Sequence, residues 1–143
     1  MSSTTSNLEE RCIKQGMKMT DQRRVIARVL SDATDHPDVE EVYRRATTAD
    51  PHISIATVYR TMRLFEDAGI VERHDFRDGR SRYEEATTTH HDHLIDIKSG
   101  AVVEFQSEEI ERLQKEIARA HGYILVDHRL ELYAVPIKSK DQP

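Results

Sequence analysis

The sequence predicts an α+β chain in two parts: helices closed by a β-hairpin, then a small strand-and-helix unit. Three observations predict it. Apolar residues recur at helical spacing in successive stretches between Thr20 and Gly69. The pattern then shortens to strand-like runs on either side of Asp78-Gly79, a strong hairpin turn. After Glu85 to Thr89, which is poor in apolar residues and reads as a linker, strand-like and helix-like segments begin again. Helices followed by a hairpin are the layout of a winged helix-turn-helix.

Ser6-Asn7-Leu8-Glu9 has the spacing of a capping box, with Glu9 reaching back to Ser6, and the short helix it starts should stop at Gly16. Thr20 can cap a second helix, with Val25, Ile26, Val29, Leu30 and Ala33 on its inner side. Pro37 suits the first turn of a third, whose inner face is Val39, Val42, Tyr43 and Ala46. Ser54 can cap a fourth that runs to Gly69, with Ile55, Val58, Met62 and Phe65 as its buried stripe. Ile70 to Phe76 and Arg80 to Glu84 are the arms of the hairpin.

In the second part, His93 to Ile97 and Ala101 to Phe105 read as strands joined across Ser99-Gly100. Ser107 can cap a helix through Ala120, with Ile110, Leu113 and Ile117 inward and Gly122 as its stop. Tyr123 to Val126 and Arg129 to Val135 read as further strand. A unit of about fifty residues is too small to stand comfortably alone, so a second copy is the expected cover for its apolar face.

The 143 residues carry 21 Lys plus Arg against 26 Asp plus Glu, a net charge of −5. A globally basic nucleic-acid binder is excluded, but a local basic face is not. Arg11, Lys14, Lys18, Arg23, Arg24 and Arg28 stand against one acid, Asp21, in the stretch they span. Apolar runs are too short for a membrane span, and the start lacks the layout of a secretory signal, so the expected place is the cytoplasm. The single Cys12 excludes an intrachain disulfide and a Cys-based zinc knuckle, and it reads as a small buried side chain.

The fourth helix is the candidate DNA reader. Its outward face offers Thr57, Tyr59, Arg60 and Arg63 beside the small Ala56, and small residues let a helix approach the floor of the major groove. Thr57 and Tyr59 can meet thymine methyls or phosphates, and Arg60 a phosphate or a guanine edge. Lys18 is placed to reach a phosphate or a minor groove, and Arg77 and Arg80 sit at the hairpin tip. An ordinary amphipathic helix with solvated arginines has the same pattern, so the helix alone does not decide the matter.

His90-His91-Asp92-His93 is the sharpest feature of a chain with eight histidines. On a strand, alternation puts His91 and His93 on one side and His90 and Asp92 on the other. The following turn brings Glu104 almost opposite His93. Glu111 and His128 can serve the other face. Nitrogen and oxygen donors without thiolate suit zinc, iron(II), cobalt or manganese. His52, His74 and His121 have no clustered partners in the sequence and read as surface or hydrogen-bonded histidines. His36, in Asp35-His36-Pro37-Asp38, stands between the two readings.

Three segments carry a family resemblance: Gly16-Met17-Lys18-Met19-Thr20-Asp21-Gln22-Arg23-Arg24, Ser54-Ile55-Ala56-Thr57-Val58-Tyr59-Arg60-Thr61 and His90-His91-Asp92-His93-Leu94. Together, and in this order over nearly the whole chain, they resemble the ferric uptake regulator (Fur) family. The resemblance implies a metal-dependent homodimeric transcriptional regulator, mainly a repressor, that binds double-stranded operator DNA, with a tetramer as a higher-order option. It implies a winged-helix domain over 1–85, a hinge over 86–90 and a dimerisation and metal-binding domain over 91–143. The family's regulatory site carries over onto His36, Glu84, His91, His93 and Glu104. Its second site carries over onto His90, Asp92, Glu111 and His128. Lys18 takes the minor groove, and Tyr59 and Arg60 the major groove. The implied corepressor is Fe(II), in control of iron homeostasis, or Mn(II), with Zn(II) able to fill the same sites in vitro.

The chain departs from many relatives in one respect. It has no Cys-x-x-Cys pair for a structural zinc, which makes it similar to the regulators of alphaproteobacteria, some of which answer to manganese. A metal-dependent hydrolase and a metal buffer are the rival classes. The first lacks a spare acid or nucleophile motif, and the second has no use for Tyr59, Arg60 and the hairpin, so no enzyme is expected.

Overall fold

The computed structural model describes residues 6–87 and 90–138. The chain folds as two units, Met1–Thr87 and Thr88–Pro143. Of the expected linker, Thr88 and Thr89 lie outside the described residues.

The first unit holds α1 (Asn7–Lys14), α2 (Asp21–Asp32), α3 (Val39–Ala49), α4 (Ile55–Asp67), β1 (Val71–Asp75) and β2 (Ser81–Glu85). Each helix begins at a side-chain cap. Ser6 Oγ accepts the Glu9 N–H at 3.1 Å, and Thr20 Oγ1 that of Arg23 at 3.2 Å. Asp38 Oδ1 accepts from Glu41 at 2.8 Å and Ser54 Oγ from Thr57 at 3.1 Å. Each such cap contributes about 1 kcal/mol by satisfying a backbone donor that the helix cannot. One core joins the elements, with Leu8, Ile26, Val42, Val58, Phe65 and Ile70 fully buried. Cys12 is buried there too.

Three expectations are corrected in this unit. Glu9 does not reach back to Ser6: it is buried and paired with Arg24, with Arg28 at 3.8 Å. A carboxylate on the inner side of α1 needs a guanidinium more than a second cap bond. Pro37 precedes the cap, which is Asp38, and the Pro37 carbonyl accepts the Tyr83 N–H at 3.0 Å. Ile55 is 40% exposed, because the buried stripe of α4 runs Val58, Thr61, Met62, Phe65 and leaves the first turn outside.

β1 and β2 are antiparallel, with Glu72 opposite Glu84 and His74 opposite Arg82. Their connection is not a two-residue turn but the loop 76–80, in which Arg77 (φ 66°) and Gly79 (φ 77°) both take the left-handed conformation. Glycine adopts it without a Cβ penalty, which is why a glycine serves at position 79.

The second unit holds β3 (Asp92–Asp96), β4 (Val102–Phe105), α5 (Glu108–Ala120) and β5 (Glu131–Ala134). The sheet order is β4-β3-β5, with β4 antiparallel and β5 parallel to β3. Asp96 fastens the β3–β4 turn by accepting from the Lys98 N–H at 2.9 Å and from Ser99 Oγ at 2.8 Å. These bonds, the backbone one foremost, hold its carboxyl below the ordinary range.

Two expectations change here. Tyr123 to Val126 is not a strand: among the described residues it joins no ladder, and Ile124 and Val126 are exposed. A β-like sequence needs a neighbouring edge, and this segment meets none among the described residues. α5 has its apolar stripe, but Leu113 and Ile117 are 56% and 53% exposed, and no residue of the helix is buried. Helical period locates a stripe; it does not say what covers it.

Candidate functional site

The first unit presents the outer face of α4. Tyr59, Arg60 and Arg63 are exposed beside Ala56. Thr57 Oγ1 lies 3.0 Å from Ser54 Oγ and accepts from Arg60 Nη2 at 3.3 Å, so the helix cap also steadies the arginine. A cavity of about 330 Å³ opens between the start of α2 and α4, lined by Thr20, Gln22, Arg23, Thr57, Arg60, Thr61 and Leu64. Arg23 donates to the Lys18 carbonyl at 2.7 Å and so fixes the backbone that presents exposed Lys18. Arg23 was not among the expected DNA contacts. Its place one turn into a helix capped at Thr20 is what brings it within reach of the Lys18 carbonyl. At the wing, Arg80 pairs with Asp38 and Asp78, at 3.0 and 3.2 Å. Burial opposes ionisation of Asp78, but bonds from the Arg80 N–H and guanidinium prevail and hold it below the ordinary range.

Of the five residues that the resemblance groups as a regulatory site, His36 and Glu84 belong to the first unit and the other three to the second. His36 Nε2 lies 3.0 Å from Glu84 Oε1, and both side chains are buried. His36 rests edge-on against buried Phe76, with ring centroids 6.2 Å apart. Arg82 donates to the His36 carbonyl at 3.2 Å, and burial lowers the pKa of its guanidinium. His74, expected to stand apart from any cluster, does not: its Nε2 is 3.2 Å from Glu84 Oε2 and 3.7 Å from Glu72 Oε1. Hairpin register, unknown before folding, is what brings these three together.

In the second unit the four-residue run divides as strand alternation predicts. His91 and His93 have ring centroids 5.0 Å apart, His93 faces Glu104 across the β3–β4 ladder, and His91 Nε2 is 3.3 Å from Glu104 Oε2. On the parallel side His93 faces Glu131. Burial tends to raise the Glu131 pKa, but bonds from Tyr133 and Arg129 hold it low.

On the opposite face, His90 Nε2, His128 Nε2 and Asp92 Oδ1 form a triangle with sides of 3.0, 3.0 and 3.1 Å. Asp92 is almost completely buried, and its Oδ2 has no hydrogen-bond partner among the described residues. Metal–donor bonds of about 2.1 Å would span an octahedral edge of roughly 3.0 Å and a tetrahedral edge of roughly 3.4 Å. The triangle fits an octahedral face, and the spare buried carboxylate oxygen fits a cation. Glu111, in the first turn of α5, lies outside these converging atoms. His52 is exposed, and His121 bonds the Ile117 carbonyl at 2.9 Å, the surface and hydrogen-bonded placements expected of them.

No helix among the described residues is long and apolar enough to cross a membrane. The model of the ferric uptake regulator family matches residues 14–133. The chain is 65% identical over 141 residues to the ferric uptake regulation protein of Rhizobium leguminosarum bv. viciae, which covers 99% of each chain. Among solved structures it is similar to a zinc-bound manganese uptake regulator (TM-score 0.82, 66% identity, covering 94% of this chain and 100% of that one). It is also similar to the ferric uptake regulator of Pseudomonas aeruginosa with manganese (TM-score 0.75, 39% identity, 92% and 99% covered). An exposed face of α4 that carries Arg60 and Arg63 and thiolate-free histidine–carboxylate clusters in both units are thus joined to likeness over almost the full length, and the chain belongs to the ferric uptake regulator family of metal-responsive transcriptional regulators, which are not enzymes.

Proposed function

We propose that this regulator is a cytoplasmic homodimeric repressor that grips double-stranded operator DNA when loaded with Fe(II) and so controls iron homeostasis. The boundaries 1–85, 86–90 and 91–143 divide it into a reading head, a hinge and a pairing module. His36 and Glu84 of the head and His91, His93 and Glu104 of the module together hold the regulatory ion. The single observation that carries the reading is the pre-arrangement of each half in its own unit: His36 against Glu84 at 3.0 Å, and His91 against Glu104 at 3.3 Å. An ion that needs donors from both sides of a hinge restricts the hinge. In a dimer that restriction sets the spacing of two α4 helices, which two half-sites must match. Without the ion, orienting the heads costs part of the binding free energy. The ion supplies charge and coordination; the chain supplies the donors and the DNA contacts at Lys18, Thr57, Tyr59 and Arg60.

His90, Asp92 and His128, with Glu111 completing the set, form a second site that stiffens the pairing module. The exposed stripe of α5 and the unpaired segment at Ile124 and Val126 support a second copy as its cover.

A second reading keeps every residue role and replaces iron by Mn(II). The 66% identity to a structure named a manganese uptake regulator favours it, as do the carboxylate donors. One experiment tests both. Metal-stripped protein is assayed on duplexes selected from a random pool, with anaerobic Fe(II), Mn(II) or Zn(II) added separately. Metal-dependent binding that is lost in a His91→Ala, His93→Ala double variant is the expected result, and the more effective of the first two ions names the corepressor. Equal binding by stripped and loaded protein sinks the proposal.

A further inference from the structure

The wing hairpin contains a histidine–carboxylate cluster, Glu72, His74 and Glu84, of which the regulatory and second sites use only Glu84. Glu72 and His74 are two residues apart on β1 and share a face, and Glu84 stands directly opposite Glu72 on β2. Two carboxylates facing each other across a ladder repel, and Glu84 is buried, so that repulsion is poorly screened. The ligand atoms of Glu72, His74 and Glu84 all lie within 4.8 Å of one another. His74 Nε2 is 3.2 Å from Glu84 Oε2 and 3.7 Å from Glu72 Oε1. Bonds of about 2.0–2.2 Å from one ion require donor separations of roughly 3.0–3.5 Å; the Glu84 distance lies within that range, and the Glu72 distance is just above it, at a half-exposed side chain that can close on an ion. The His74 ring is held in place by stacking on buried Phe76, with centroids 5.3 Å apart and planes at 13°. Fixed ring orientation is what a metal-binding imidazole requires of its surroundings. Glu72 is half-exposed, which leaves a side of the cluster open to water.

We propose that Glu72, His74 and Glu84 form a divalent-cation site on the wing of the reading head, distinct from the regulatory and second sites. One imidazole and two carboxylates with open positions suit Mn(II), Co(II) or Zn(II). The inference rests on the reading above in one respect, the role of Glu84 as a shared carboxylate. Its Oε1 faces His36 and its Oε2 faces His74, so the wing ion and the regulatory ion would be bridged through one side chain.

The test counts Co(II) bound to metal-stripped full-length protein by anaerobic equilibrium dialysis, with the visible spectrum as a second readout. A Glu72→Gln, His74→Gln variant is expected to bind one equivalent per chain fewer than the wild type. The same pair placed in the His91→Ala, His93→Ala background should remove a further equivalent beyond that background. No further loss overturns the wing site, whatever becomes of the regulatory one. Conversely, a His91→Ala, His93→Ala protein that keeps every equivalent sinks the regulatory reading and leaves the wing site standing. Should circular dichroism show the double wing variant unfolded, Glu72→Gln alone, at a half-exposed position, is expected to weaken one Co(II) equivalent at least tenfold; unchanged affinity overturns the proposal.

Discussion

His128 Nε2 lies 3.1 Å from Asp92 Oδ1, although 36 residues of chain separate them. The contact ties the entrance of β3 to the segment that leads into β5, and His90 closes the triangle. A buried carboxylate with an unsatisfied oxygen is costly without a cation. Mn(II) or Zn(II) at a hundredfold excess over the Kd of this site should therefore contribute about 2.7 kcal/mol to the wild type's stability through it. That contribution should be lost in Asp92→Asn and reduced in His128→Ala when each is compared in the His91→Ala, His93→Ala background, as read from thermal melts with and without a chelator.

Arg60 and Lys18 should differ in what they lose. If Arg60 reads a base edge, Arg60→Ala costs about 1–3 kcal/mol and relaxes preference at one position of the site. Lys18→Ala, at a phosphate or minor-groove contact, should weaken all sequences alike and lower the salt slope by about 1. Quantitative gel shifts of metal-loaded protein at several salt concentrations separate the two.

Ser54 caps α4 and bonds Thr57, which in turn accepts from Arg60. Ser54→Ala should cost about 1 kcal/mol of stability and lower operator affinity through a less fixed Arg60. A Ser54→Asp variant restores the cap, so it should recover the stability lost by Ser54→Ala in urea unfolding.

Leu113 and Ile117 lie on the uncovered face of α5. If a second copy covers them, Leu113→Asp with Ile117→Asp should shift the protein to a monomer in sedimentation velocity, with loss of operator binding. A pair of charges placed on a surface that stays exposed would change neither.

Much of this structure was legible before folding because its signals are local. The four caps at Ser6, Thr20, Ser54 and Ser107 follow from one hydroxyl and the backbone three residues on. The division of His90-His91-Asp92-His93 between two faces follows from strand alternation alone. What sequence missed depends on distant partners. Glu9 was diverted by Arg24 from a helix away. His74 gained its neighbours from the pairing of two strands, which spacing along one strand cannot reveal. The Tyr123–Val126 stretch has the composition of a strand but meets no sheet edge among the described residues. Of the candidate ligands, those close in sequence were grouped from spacing; His36 and Glu84, 48 residues apart, needed the family resemblance.

The pairing of β3 with β4 sets His93 against Glu104 and Asp92 against Phe105. A slip of one residue there would turn every side chain of β3 through the sheet. The histidines and carboxylate of the two faces would then change places, without the loss of a single donor. If both groups hold ions as proposed, the register of two short strands decides which donors each ion meets.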